Sequence, residues 1–291
     1  MDYITKEDII IFSPKFNKEI DDKLLINYKK VIFSNYELTN DLFDNYENND
    51  FKKCKQICSN FNQIVNLPLN LTHLTFGFYS DFNQEVDLPQ NLTHLTFGNH
   101  FNQKVDLPHN LTHLTFGWDF NQKVNLPPNL THLTFGEYFN QKVYLPPNLT
   151  HLTFGSNFNQ IVNLPLNLTH LTFDWDFNQK VDLPQNLTHL TFGHDFNQKV
   201  DLPQNLTHLT FGEDFNQKVD LPWNLKYLSL GCSETTMIDY LPDSLEKLIL
   251  YSNFNGSLDN LPTSLKILTL SDKYDKNKLN NLPKNVQVIY Y

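Results

Sequence analysis

The chain has 291 residues, 40% of them apolar with 24 Phe and 13 Tyr, so a large core is available and global disorder is excluded. Its formal charge is −10 and all 22 basic residues are lysine, which argues against a nucleic-acid partner, because a phosphate backbone is gripped by clustered Lys and Arg. No apolar run of about 18 residues exists to cross a membrane, and the N-terminus lacks the basic and apolar stretches of a secretory signal, so the expectation is an intracellular protein that is not secreted.

The first 60 residues read as worn copies of a phrase that is regular further along the chain. IIIFSPKFNKEI sets Phe12, Phe16, Asn17 and Ile20 at the spacing of the later Phe192, Phe196, Asn197 and Val200. KVIFSNYEL suggests a second degenerate turn around Val31 and Phe33, and KQICSNFNQ a third around Ile57. Cys54 and Cys58, with Cys232, are too few for a disulfide framework, and Cys-x3-Cys without a second cluster is not a metal motif.

From Leu67 a Leu-Pro pair recurs to Leu282 at steps of 21, then 19 seven times, then 20, 20 and 21. A fixed period near 20 is the signature of a solenoid. Numbered from each Leu, the unit is L-P-x-N-L-T-H-L-T-F-G-x-x-F-N-Q-K-V-D; residues 177–193 and 196–212 are identical. Positions 7 to 11, as in His189 to Gly193, alternate polar and apolar and predict a strand with Leu190 and Phe192 inward and His189 and Thr191 outward. Pro and turns leave no room for a long helix. From Pro222 the wording drifts, with Leu230, Leu250 and Leu270 in place of Phe, as end turns of a repeat stack require. The expected fold is mainly β: a leucine-rich-repeat-like solenoid of about 15 turns, with one parallel sheet on the concave face and little helix. Residues 1–60 form degenerate repeats and a cap within the same solenoid, 61–220 the regular repeats, and 221–291 divergent repeats and a cap.

FNQKV followed by LP.NLTHLTFG resembles the FNIP repeats of social amoebae and of giant DNA viruses of amoebae, with wording closest to the viral versions. The resemblance covers Phe61 to Phe254 strongly and implies a curved parallel-β solenoid. Its common unit has about 22 residues, whereas 19 dominates here. Many relatives carry an F-box for a ubiquitin ligase, and residues 1–60 show no such helical motif.

The Phe rows are core. The Asn after each second Phe is placed to satisfy backbone groups of the turn and to bond the next Asn in line, and Asn-Leu-Thr makes eight glycosylation sequons from Asn70 to Asn205 that an unsecreted chain would not use. His113, His132, His151, His170 and His189 stand in one outward row; a straight row does not converge enough ligands on one metal, so no metal is assigned. No Gly-rich phosphate loop and no unique acid–base cluster is visible, so no catalytic residue, cofactor or enzymatic activity is assigned. The two letters that vary between copies put Trp118, Tyr138 and Trp175 at the rim, where exposed aromatics anchor partners. These residues and the His row point to a protein-interaction scaffold that binds a protein, a host protein if the source is viral. The alternatives are the substrate-recognition subunit of a ubiquitin ligase and a structural assembly component.

Overall fold

The structure is a computed structural model that describes all residues except 40, 49, 50, 53, 232–237, 252, 253 and 280; Cys232 lies outside the described residues. The chain divides into two units, Met1–Asn148 and Leu149–Tyr291. The first holds β1 (Tyr3–Lys6), β2 (Ile9–Phe12), β3 (Lys30–Phe33), β4 (His73–Phe76), β5 (His94–Thr96), β6 (His113–Thr115) and β7 (His132–Thr134). It also holds the short helices α1 (Asp22–Leu25) and α2 (Leu42–Asn48). The second holds β8 (His151–Phe154), β9 (His170–Phe173), β10 (His189–Phe192), β11 (His208–Phe211), β12 (Tyr227–Leu230), β13 (Lys247–Leu250), β14 (Ile267–Leu270) and β15 (Gln287–Tyr290). From β2 onward each strand supplies one turn of a mainly β solenoid.

From β2 onward, successive strands within each unit pair parallel and in register, so His94 faces His113 and Leu95 faces Leu114, as His170 faces His189 and Leu171 faces Leu190. The predicted alternation holds: Leu190 and Phe192 are buried, while His189 and Thr191 are half-exposed. Strands end at Phe192 and its equivalents in β4 and β8–β11, and one residue earlier, at Thr, in β5–β7, so all stop short of the predicted Gly. At that position the next turn comes too close for a side chain: a Cβ on Gly212 would collide with the Gly193 carbonyl, and one on Gly136 with that of Gly117.

The core is a double row of phenylalanines. Phe192 and Phe196 stack at 3.6 Å within a turn, and Phe192 meets Phe211 of the next turn at 5.8 Å. Burying each ring contributes about 1.5–3 kcal/mol. Beside it runs an asparagine ladder. Asn178 Oδ1 accepts the Asn197 backbone N–H at 3.0 Å and the Gln198 side-chain amide at 3.0 Å, and the pattern repeats from Asn17 to Asn121 in the first unit and from Asn159 to Asn197 in the second. The partner is thus the next backbone and the next Gln, not the next Asn amide. The sequon asparagines form another ladder, with Asn186 Nδ2 donating to the Leu166 carbonyl at 3.0 Å; in the divergent turns Ser244 donates to the equivalent Trp223 carbonyl and Ser264 to that of Leu245.

The N-terminal expectation needs two corrections. β1 and β2 form an antiparallel hairpin, so the first strand does not obey the parallel pattern. The turns expected around Phe33 and Ile57 are a single turn: β3 pairs directly with β4, and Phe33 stacks at 4.1 Å on Phe61, the contact that Phe97 and Phe101 make in a regular turn. Residues 34–60 are an insertion within it. Half-buried Ile57 is outside the named strands, and its N–H bonds the Asn35 carbonyl. The insertion folds α2 over the outer face of β2 and β3, where Ile9, Ile11 and Ile32 stand in place of polar residues and pack with Leu42 and Phe43. A groove of about 330 Å³ remains there, walled by Ile9, Ile32, Phe43 and Tyr46 and reaching Lys30 and His73.

Two substitutions test these ladders by urea denaturation. Asn178→Ala strands the Asn197 N–H and the Gln198 amide and is expected to cost about 1–3 kcal/mol. Gly212→Ala forces the next turn away and is expected to cost about 1–3 kcal/mol, where a permissive glycine would instead yield a gain of about 0.4–1 kcal/mol. A neutral or stabilising result at either position would show that the ladder concerned does not hold the fold.

Candidate functional site: the histidine face and the variable rim

Position 6 threonine organises the outer face. The Thr72 carbonyl accepts the Thr93 N–H at 2.9 Å, the His94 N–H at 3.1 Å and the Thr93 hydroxyl at 3.1 Å, and the same triple acceptance recurs turn after turn within each unit. The Thr93 hydroxyl also lies 2.9 Å from His94 Nδ1. Each imidazole is therefore held at one nitrogen, and the rings stack: His73, His94, His113 and His132 at 4.2 Å in the first unit, and His151, His170, His189 and His208 at 4.1–4.2 Å in the second. Tyr227 continues the second row, 5.5 Å from His208.

Partial burial is the first cause that holds His94, His170, His189 and His208 below the ordinary histidine value; the charge of neighbouring imidazoles is the next. For His73 the second cause is the Lys30 ammonium. Burial outranks the like-charge repulsion that the row alone would suggest.

The structure places all three predicted rim aromatics at the surface, with Trp118 40%, Tyr138 45% and Trp175 54% exposed. It also adds residues that the repeat pattern alone did not single out. Trp118 makes edge contacts with Phe78 at 5.4 Å and Tyr79 at 6.3 Å, two turns away. Asn99, in the turn between, is thereby buried to 2% exposure with its side-chain oxygen unpartnered. Position 12 is Phe, then Asn, then Trp in these turns, so a small residue between two large ones was the available signal. Trp223, 69% exposed, stands apart from the variable pair.

In the second unit Trp175 lies flat on His194, 4.8 Å away at 1°. Among the described residues His194, Asp195 and Asp214 bring one possible metal-ligand atom each within 4.8 Å of one another. His194 Nδ1 is 2.7 Å from Asp195, and Nε2 is 3.7 Å from Glu213. The hydrogen bond to Asp195 raises the His194 pKa, aided by the charges of Asp214, Asp195 and Glu213. Letters that differ from copy to copy thus meet in a mixed imidazole–carboxylate group. No helix of the described residues is long and apolar enough to cross a membrane.

Comparisons with known proteins agree with this architecture. A family described as FNIP Repeat matches overlapping stretches across residues 61–233 and again at 236–273. The crystal structure of CroV588, described as a novel circular leucine-rich-repeat protein, is similar over 100% of this chain at 36% identity and a TM-score of 0.71. The chain spans about half of that protein, 51% of its length. YopM from Yersinia enterocolitica shares the fold alone, at 22% identity and a TM-score of 0.53 over 80% of this chain and 58% of its own. No curated protein sequence matches.

The pH dependence of stability is set by the row. A histidine with a lowered folded pKa contributes stability that is fully present above its unfolded value of ~6.5 and is lost as pH falls through the folded value. His194, raised, runs the other way: its contribution is present at low pH and lost as pH rises through its folded value. Five lowered rings against one raised ring predict a urea midpoint that drops as pH falls below ~6.5. A midpoint that rises over the same interval would contradict the stacked, partly buried row.

Proposed function

Because the chain belongs to the FNIP repeat family and has a leucine-rich-repeat-like fold, we propose that it is a non-enzymatic scaffold that holds a partner protein on its histidine–threonine face and variable rim. The observation that carries this reading is the aromatic patch of Phe78, Tyr79 and Trp118, with Tyr138 exposed one turn on. Large exposed rings on a rigid frame supply interface anchors at small cost in ordering. Each unit supplies its own part of the proposed surface from the regular repeats 61–220, His113 and His132 in the first and Trp175, His151, His170 and His189 in the second, with both ends as caps. A host protein is the partner expected if the source is viral, and the reading places the encounter inside the cell, in keeping with the free thiols of Cys54 and Cys58.

The test is a paired capture from amoebal lysate with the wild-type chain and the Trp118→Ala/Trp175→Ala variant. A protein retained by the first and lost by the second is expected, with affinity reduced by at least ~2 kcal/mol and little change in urea midpoint. Identical capture by both would remove the rim from the proposed surface. Ligase subunits among the proteins captured would favour the substrate-recognition alternative.

A further inference from the structure

The protonation pattern of the histidine row is set by the threonines in front of it. In the second unit Thr169 Oγ1 lies 3.1 Å from the Thr150 carbonyl oxygen and 2.9 Å from His170 Nδ1, and Thr188 and Thr207 repeat both contacts before His189 and His208. A threonine hydroxyl has one proton, and a carbonyl oxygen can only accept. If the proton turned to Nδ1, two oxygens would face each other at 3.1 Å with no hydrogen between them. Both contacts are satisfied only when Nδ1–H donates to the threonine oxygen, which leaves the lone pair of the neutral ring on Nε2. His170, His189 and His208 therefore carry a line of Nε2 acceptors, and no described donor reaches them.

Towards the rim the charge beside this line is mostly acidic, while Lys226 and Lys247 stand at its Tyr227 end. Four to six residues beyond each histidine, past the end of its strand, comes the rim of the same turns, which carries Asp174, Asp176, Asp195, Glu213 and Asp214. Thr172, Thr191 and Thr210 lie between row and rim on the outward face. An acidic segment or a phosphate backbone would be repelled. A metal would need tetrahedral ligands roughly 3.3 Å apart and converging, whereas these rings stack in parallel at 4.1–4.2 Å.

We propose that the strip between this row and the acidic rim receives an extended, lysine- or arginine-bearing segment of a partner protein. Its N–H groups donate to Nε2 of His170, His189 and His208, and its charge is met by Asp195, Glu213 and Asp214. The inference rests on the interaction-scaffold reading and names the partner's chemistry. Burial keeps the three rings in the accepting, neutral form near neutral pH. The other titratable or charged groups beside the row are His151, Lys226, Lys247 and Tyr227, and His194 on the rim.

Fluorescence anisotropy with labelled octalysine tests the proposal, with octaglutamate as control. Wild type is expected to bind octalysine and not octaglutamate. Binding should weaken at least about tenfold in His170→Phe/His189→Phe/His208→Phe, which keeps a stack of rings, as Tyr227 shows an aromatic can, but lacks the acceptors. A similar loss is expected in Asp195→Asn/Glu213→Gln/Asp214→Asn, and for wild type between about pH 7.5 and about pH 5.5. Octalysine binding that is unchanged in the Phe variant would mean that rim charge alone holds the peptide, and the proposal falls. Absence of octalysine binding to wild type also overturns it, while the capture experiment with Trp118 and Trp175 still judges the scaffold reading. Should the Phe variant not fold, ¹⁵N shifts of the wild-type imidazoles decide: Nε2–H in place of Nδ1–H at His189 overturns the acceptor row.

Discussion

The threonine carbonyl at position 6 is the hinge of this architecture. It takes three donors from the next turn: two backbone N–H groups that set the strand register, and one hydroxyl. The register places Leu on Leu and Phe on Phe, so the core rows depend on the same oxygen as the sheet. The hydroxyl then fixes the neighbouring imidazole. A neutral hydrogen bond contributes only about 0.5–1.5 kcal/mol, but these recur every turn. A slip by one residue would break all of them and turn the core face outward.

Such stacking leaves little freedom elsewhere. The backbones come so close after each strand that glycine is required at Gly117, Gly136 and Gly212. The one exception in the regular run, Asp174, keeps a side chain at this level, hydrogen-bonded to Ser156 at 3.0 Å. Asparagine oxygens and amides at two further positions are likewise committed, the oxygen of Asn159 to the next turn and the amide of Asn186 to the preceding one. Identity between copies is therefore explained by mutual satisfaction of neighbouring turns, without an appeal to a binding partner.

Period, strand and core rows were legible because each is a property of spacing. Position 8 and position 10 are apolar in every regular copy, and the parallel in-register pairing is a consequence of a nearly constant repeat length. The N-terminal insertion was not legible. Phe61 and Asn62 resume the phrase after residues 34–60, and the letters before them, KQICSN, looked like a worn strand because the phrase beginning at Phe61 is intact. What distinguished them was Ile9, Ile11 and Ile32 on the outer face, positions that are polar in the regular turns and here need a cover. The rim depended on contacts between turns: Trp118 reaches Phe78 across Asn99, and His194 gathers Asp195, Glu213 and Asp214 from two turns. A consensus averages over those differences.

The outer face thus divides by chemistry rather than by sequence variability. Threonine hydroxyls and imidazole Nδ1 atoms are spent on the protein itself, so invariant residues offer a visitor only what lies on the far side of each ring. The rim residues are tied to the adjacent turn by backbone bonds that do not depend on the side chain, as in Asp195 N–H to the Trp175 carbonyl at 2.9 Å, so their side chains can vary while the strand register is kept. Selection can then write aromatic, acidic or small residues there turn by turn while the row beside them stays constant. In the proposed scaffold a constant line of acceptors would supply generic grip and the order of rim residues discrimination, in the way that uniform contacts position a ligand and a few anchors choose it. At the N-terminal end of the face the insertion replaces both with an apolar cover, and His73 is where that cover gives way to the open row.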